Sequence, residues 1–414
     1  MTSQFKLGLE VLLEDKNLQE ELKGKRIAYL GHPASIDRKA RHGFDLIRQN
    51  TSLHLTAGFG PQHGMLGDKQ DNMIESDDYR DPVHGIPVYS LYGKVRRPTD
   101  TMMQSFDVLL VDMQDVGCRI YTYHTTLLYM LEACAAHKKE LWVLDRPNPA
   151  GRPVEGFFLD DSLYSFVGAS RVPMRHGLTL GELAKFLCES FKLHVRMKLV
   201  PMQNYNPLEA PGFGWPMSTK SDGSWMDIPW VNPSPNIPTL CTARVFPGTV
   251  LLEGTLLNEG RGTTRPLQMF GAPGLPSRKI ISELHKRAPQ LLKSCLIRSC
   301  HYEPTFHKFK GQLCEGLQIH VDTRDYNHEK FQPFRLMLMI FKLIREERPD
   351  LMAWRQPPYE YENERLPIDL LAGDVRVRHW VDDSASTLED LDKMLLAHEN
   401  EWKEEMRRYT LYPV

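Results

Sequence analysis

Four segments that read as strands each release a polar or titratable side chain just past their last apolar residue. His32 follows RIAYLG, Gln62 and His63 follow LHLTAGFG, Asp112 and Asp115 follow FDVLLV, and Asp145 and Arg146 follow ELWVL. An Asp after a strand is often only a turn former or helix cap. Four such ends together are more than a structural rim requires, because ligands of parallel α/β sheets bind beyond the carboxyl ends of the strands. Loops add three more carboxylates, Glu75, Glu155 and Glu259. Two carboxylates flanking a scissile bond are the usual apparatus of glycoside hydrolysis, although the sequence does not show which pair converges. No G-x-S-x-G elbow is present, so Ser-His-Asp catalysis is not indicated. The seven cysteines are scattered without a C-x-x-C pair, which argues against zinc.

Two glycine loops could hold phosphate. GFGPQHGMLG (58–67) has the spacing G-x-G-x-x-x-G, with Pro61 where a phosphate-binding helix should begin donating N–H groups, so it is a poor dinucleotide fingerprint. NEGRGTTRP (258–266) is either an anion cradle assisted by Arg261 and Arg265 or a tight turn between strands.

The elements that must position these residues alternate. Strand-like runs at 26–32, 53–60, 86–93, 106–115 and 140–149 are separated by helical or polar stretches. Residues 121–137 carry apolar side chains at helical spacing. Residues 178–190 form a further helix with Thr179 and Glu182 in a capping-box pattern. This order predicts an α/β chain whose N-terminal domain is a Rossmann-like parallel sheet. A proline-dense stretch then interrupts, with 12 prolines between Pro201 and Pro276, too many for a long helix or central strand. Beyond it, helices near 278–293, 333–346 and 387–407 and a strand near 316–323 predict a smaller α+β C-terminal domain. The expected division is 1–235 and 236–414.

The chain has 414 residues, ample for a hydrophobic core without disulfides. A net charge of −2 argues against a general nucleic-acid binder. The apolar run Leu336–Ile344 is short and broken by Lys342, so no membrane span is expected. The N-terminal segment lacks the apolar core of a secretory signal. The cysteines read as buried thiols of a reducing compartment, so a cytoplasmic location is expected.

Taken in order, several blocks resemble one family. They are GPQHGMLGDKQDNMIE (60–75), VYSLYG (88–93), VDMQDVGCRIYTY (111–123), LDRPNPAGRPVEG (144–156), MRHGLTLGELA (174–184), WVNPSPNIPT (230–239) and EGTLLNEGRGTTRP (253–266). The chain resembles the NamZ-type exo-β-N-acetylmuramidases, peptidoglycan hexosaminidases, from about Lys25 to its end. The resemblance implies an active site in the cleft between two domains. It also implies release of terminal N-acetylmuramic acid from the non-reducing end of small peptidoglycan saccharides. Combined with the expected cytoplasmic location, where such an enzyme would meet imported fragments, this points to cell-wall recycling. Neither a cofactor nor a metal is implied.

The chain departs from the family at one position. Members carry Glu in the block where this chain has Gln62, and an amide cannot exchange a proton as a carboxyl does. Three expectations follow. Glu75, Asp115 or Glu259 carries the acid function while Gln62 binds sugar hydroxyl or acetamido groups. Alternatively His63, oriented by an Asp, is the acid of a substrate-assisted route. Or hydrolysis is lost and the protein is a non-hydrolytic amino-sugar or muropeptide binder. Glu259 or His63 is expected as donor and Asp115 as the group orienting the acetamide. The lactyl carboxylate of the sugar calls for an arginine, with Arg119, Arg146 and Arg261 as candidates. The matched blocks further imply substrate contacts from Tyr121, Asn148, Glu155, His176 and Thr263. Trp230 and Asn236 are expected on a proline-stiffened wall of the cleft.

Overall fold

The computed structural model describes residues 4–71 and 73–414; Asn72, inside the block 60–75, lies outside the described residues. Seven strands form one sheet: β1 (Arg26–Leu30), β2 (His54–Gly60), β3 (Tyr79–Arg80), β4 (Pro87–Ser90), β5 (Val108–Val111), β6 (Glu140–Leu144) and β7 (Arg196–Val200). Their spatial order is β3-β4-β2-β1-β5-β6-β7, and every neighbouring pair is parallel except β3 with β4 at the edge. β5, VLLV, is buried along its whole length because both faces of the sheet are covered. That is why it reads as an unbroken apolar run instead of an alternating one. The chain leaves β1 towards β2 and β4, then returns to the other side of β1 as β5. The switch point therefore lies between β1 and β5, the place where such sheets take ligands.

Helix Tyr123–Ala136 follows β5 and is buried over most of its length. Helix Leu180–Ser190 carries the expected capping box, with Thr179 accepting from the Glu182 N–H (3.3 Å) and Glu182 accepting from the Thr179 N–H (2.9 Å). The proline-dense stretch is more regular than its composition implied. It contains the antiparallel pair Met217–Lys220 and Gly223–Met226, and the helix Leu240–Thr249 with Pro247 inside it. Val250–Gly254, where strand and loop signals mixed, is a 3-10 turn.

The C-terminal part packs a three-stranded antiparallel sheet (Met269–Ala272, Cys314–His320, Leu296–Tyr302) against helix Ser277–Arg287, which in turn packs on helix Pro333–Glu347. The apolar run 336–344 is buried here as core, in a helix of 15 residues. No helix among the described residues is long and apolar enough to cross a membrane.

The two parts are sewn together by buried polar contacts. Glu155 accepts from the N–H groups of Phe334 (3.0 Å) and Arg335 (2.9 Å), capping helix Pro333–Glu347 of the C-terminal part. Near the C-terminus, Tyr412 donates its hydroxyl to Asp145 (2.8 Å). Such contacts fix the relative position of the two halves and so the shape of the cleft between them.

Candidate active site

The cleft opens beyond the carboxyl ends of β2 and β5, and its cavity is narrow, about 50 Å³. Its N-terminal-domain wall is Gln62 and His63, from the loop after β2, with Tyr121 and Thr122 at the start of helix Tyr123–Ala136. Ser234, Asn236 and Ile237 come from the proline-dense stretch, and Glu253, Arg261, Tyr359 and Glu360 from the C-terminal domain.

Gln62 is fixed at both ends. Thr122 donates to its Oε1 (2.6 Å), and its Nε2 donates to Oε1 of Glu360 (3.2 Å). The other oxygen of Glu360 accepts from the Tyr92 hydroxyl (2.7 Å). Burial pushes the Glu360 carboxyl up to about 7, against the hydrogen bonds from Tyr92 and Gln62 and with reinforcement from the nearby Glu253 charge. A carboxyl poised near neutrality inside a cleft is suited to general acid catalysis.

The second carboxylate of the cleft is Glu253. Arg261 pairs with its Oε1 (2.7 Å) and the Tyr359 hydroxyl donates to its Oε2 (2.7 Å). Two cleft carboxylates thus stand in different settings, one against a guanidinium and one among neutral donors.

The backbone is strained at the same place. His63, Glu360 and Tyr361 have φ of 69°, 45° and 69°. Each left-handed non-glycine residue costs roughly 1–2 kcal/mol, and such residues gather at sites where the surroundings hold them for a purpose.

His63 differs from its expected role as donor. Burial pulls its imidazole down to about 4, so the ring is neutral near pH 7. Its Nδ1 lies 3.0 Å from the Lys69 carbonyl. That carbonyl selects the tautomer with the proton on Nδ1 and leaves Nε2 as an acceptor.

The other expected site residues are distributed differently from the sequence reading. Gln62, His63, Tyr121, Asn236 and Arg261 come together in the cleft. Glu259 does not line it. Its carboxylate is fully buried behind Arg261, between Lys308 (3.1 Å), Arg261 (3.2 Å) and His307 (3.4 Å). Burial opposes its charge, but Lys308 and Arg261 outweigh burial and hold the carboxyl below its ordinary range, the wrong direction for a proton donor. Asp115 is buried beneath the cleft, accepting from the Gly117 N–H (2.6 Å) and facing His176 at 3.9 Å, and burial raises it to about 7. Glu75 is half exposed at the rim, paired with Arg96 (2.8 Å).

Arg119 and Arg146 are not available to a substrate carboxylate. Arg119 spends its donors on the carbonyls of Phe157, Val172 and Leu371, and Arg146 on Asp112 and the Ile36 carbonyl. Asn148 bonds the carbonyls of Gly151 and Leu178. Glu155 caps a helix, as above, and His176 is buried with its carbonyl accepting from Trp402. Trp230 packs on Trp215 at 4.8 Å and donates to the Ile237 carbonyl, so it supports the wall from behind. Thr263 closes the turn of the glycine loop through the Gly260 carbonyl (2.6 Å). That loop is the tight turn of the two readings. Gly260 has φ 76°, and a Cβ there would lie 2.3 Å from the Met269 carbonyl oxygen.

Two family models match most of the chain, "Exo-beta-N-acetylmuramidase NamZ, N-terminal" over residues 27–241 and "Exo-beta-N-acetylmuramidase NamZ, C-terminal" over 244–412. The chain belongs to the NamZ family. Its NamZ relatives include the peptidoglycan beta-N-acetylmuramidase NamZ of Bacillus subtilis (strain 168), 38% identical over 347 residues, which are 83% of this chain and 78% of that one. Among solved structures, a DUF1343 family protein of Bacteroides fragilis NCTC 9343 superposes with a TM-score of 0.83 at 28% identity over 99% of both chains. A second one from the same organism gives 0.74 at 25% identity, again over 99% of both. The two NamZ models meet between residues 241 and 244, inside the proline-dense stretch, at the start of helix Leu240–Thr249.

Sequence reasoning passed over Glu360, Glu253, Tyr92, Tyr359 and Thr122. Glu253, Tyr92 and Thr122 stand in matched blocks, but Glu259 and Tyr121 drew the assignment there. Glu360 lies in PPYEYENE, outside every block, and meets Gln62 from 298 positions away in the chain.

Proposed function

We propose that this protein is an exo-acting β-N-acetylmuramidase that removes terminal N-acetylmuramic acid from the non-reducing end of peptidoglycan fragments. The observation that carries the reading is the buried Glu360 carboxyl, near neutrality and held by Tyr92 and Gln62 in the family's interdomain cleft. In this role Glu360 donates its proton to the glycosidic oxygen as the bond to the anomeric carbon breaks. The loss of the family glutamate at position 62 is then compensated: Gln62 no longer exchanges a proton but orients the carboxyl that does.

The sugar's 2-acetamido oxygen is the internal nucleophile of a substrate-assisted route. His63 Nε2 accepts from the acetamide N–H, and Asn236 contacts the sugar from the opposite wall. Glu253, ion-paired with Arg261, stabilises the positive charge that develops at the anomeric carbon. The lactyl carboxylate meets Arg261 and the positive end of helix Tyr123–Ala136. Buried Glu259 and Lys308 hold Arg261 in this position. Action on released fragments in a reducing compartment, as in cell-wall recycling, belongs to the same proposal; the seven cysteines are unpaired thiols, five of them buried.

The test is incubation of the protein with MurNAc-GlcNAc and chromatographic detection of both monosaccharides. Release of free MurNAc supports the proposal. Absence of release, with the disaccharide still raising the melting temperature, would leave a non-hydrolytic binder.

A further inference from the structure

Glu360 sits in a loop of the C-terminal domain, yet both hydrogen bonds to its carboxyl come from the N-terminal domain. Something must hold that loop against the opposite wall with the carboxyl turned inward. The next residue shows what does. The Tyr361 ring lies under the Arg96 guanidinium, 3.3 Å from carbon to ring centroid. Edge-on contacts from Tyr92 (5.8 Å) and Phe166 (6.4 Å) support the ring, which remains partly exposed. Arg96 also pairs with Glu75 (2.8 Å), and the Tyr361 hydroxyl donates to the same Glu75 oxygen (3.3 Å). The Glu360 N–H meets Met73 Sδ at 3.5 Å. All these partners belong to the N-terminal domain.

We infer that Arg96, clamped between Glu75 and the face of Tyr361, is a positioning residue that fastens the Glu360 loop across the cleft and so sets the catalytic proton donor. The inference rests on the reading of Glu360 as the general acid. Glu360 and Tyr361 are the left-handed central residues of a tight turn closed by reciprocal backbone hydrogen bonds between Tyr359 and Glu362 (2.9 Å each). The turn therefore keeps its own backbone, but its seat against the opposite wall needs an external hold. A planar cation over an aromatic face, anchored by a carboxylate, supplies one. Arg96 does not line the cleft, so it acts through the loop and not on the sugar. The charged and titratable groups facing Glu360 are Tyr92 from the N-terminal domain and Tyr359, Glu253 and Arg261 from its own; Gln62 adds a neutral amide. Opening the clamp leaves all five in place and changes chiefly how much water reaches the Glu360 carboxyl.

The experiment compares the wild type with Arg96→Ala and Arg96→Lys on two β-MurNAc substrates, MurNAc-GlcNAc and an aryl glycoside with an acidic phenol leaving group. For Arg96→Ala the expected result is a kcat on the disaccharide lower by about ten-fold, the scale of a lost cation–π clamp, with KM changed little. The alkaline limb of its pH profile should move to lower pH, because a better hydrated carboxyl loses its proton earlier. The aryl glycoside should largely restore the rate, since an acidic leaving group needs less protonation. Arg96→Lys, keeping the Glu75 pair without the planar stack, should fall between. A folded Arg96→Ala with unchanged kcat and pH limb overturns the inference, as does an equal loss on both substrates. If the wild type releases no sugar from either substrate, it is the muramidase reading that fails.

Discussion

Replacing Gln62 by glutamate puts a second carboxyl where the amide now touches Glu360, restoring the family's residue beside a carboxyl already in place. The amide nitrogen is 3.2 Å from the Glu360 oxygen. Two unit charges at that separation repel by about 5 kcal/mol at an effective dielectric of about 20. At ~1.4 kcal/mol per pH unit this is a ceiling of nearly four units. Side-chain adjustment and water reduce it to roughly one to two units for a carboxyl pair sharing one proton. The lost N–H donation acts in the same direction, since it had favoured the charged form of Glu360. The wild-type rate should therefore fall above about pH 7, where Glu360 ionises. In Gln62→Glu the shared proton is retained longer, and the alkaline limb should move above about pH 8. The assay is initial-rate release of MurNAc from MurNAc-GlcNAc, whose poor leaving group needs the proton, between pH 5 and 9. A limb that stays in place or moves to lower pH in a folded variant would refute the coupling of Gln62 to the proton donor.

Three further outcomes are expected. Tyr92→Phe removes a hydrogen bond that favours the ionised Glu360, so its alkaline limb should also rise, by less than in Gln62→Glu. Glu360, Asp115 and Asp145 are raised to about 7, 7 and 6, so the folded state binds protons that the unfolded chain releases at lower pH. That stability is complete below about pH 4 and is lost as pH rises through 6 to 7, at up to ~1.4 kcal/mol per group and pH unit. Buried histidines such as His63, His124 and His176, pulled down to about 4, 3 and 3, act the opposite way up to about pH 6.5. The measurement is therefore a difference: the melting temperature of Glu360→Gln relative to the wild type should rise between pH 5 and 7. A difference that stays flat or falls would contradict the raised Glu360 carboxyl. Glu155→Ala uncaps helix Pro333–Glu347, costing about 1–2 kcal/mol and lowering the melting temperature by several degrees, while turnover per folded molecule stays unchanged. A selective loss of turnover in that variant would return Glu155 to the substrate site.

Five of the seven sheet strands were legible because their physics is local, whereas the two-residue β3 and the half-exposed β7 at the edges carry no apolar run. Buried strands such as VLLV read as apolar runs, the Thr179–Glu182 cap is a four-residue pattern, and polar residues past the strand ends follow from the topology. Half of the cleft was legible for the same reason, since Gln62, His63 and Tyr121 directly follow such elements. The other half was hidden. Whether Glu253 or Glu259 faces the cavity depends on how a 3-10 turn and a glycine turn aim two carboxylates six positions apart. Lys308, which neutralises Glu259, is far away in the chain. Arg119 and Arg146 look like ligands for an anion until the carbonyls and the aspartate that occupy them are known. Glu360 has no local signature at all: its chemistry comes from burial against residues of the opposite domain, which no window of sequence contains.

The most direct test of the account is the activity of Glu360→Gln, a substitution that keeps size and hydrogen-bonding capacity and removes only the exchangeable proton. On MurNAc-GlcNAc the predicted kcat is lower by about 10²–10⁴-fold, the usual weight of a general acid, with the disaccharide still bound and the alkaline limb near pH 7 abolished. An aryl β-MurNAc glycoside with an acidic leaving group should recover much of the loss. Glu360→Gln hydrolysing MurNAc-GlcNAc at the wild-type rate, with the wild-type pH profile, would contradict the account.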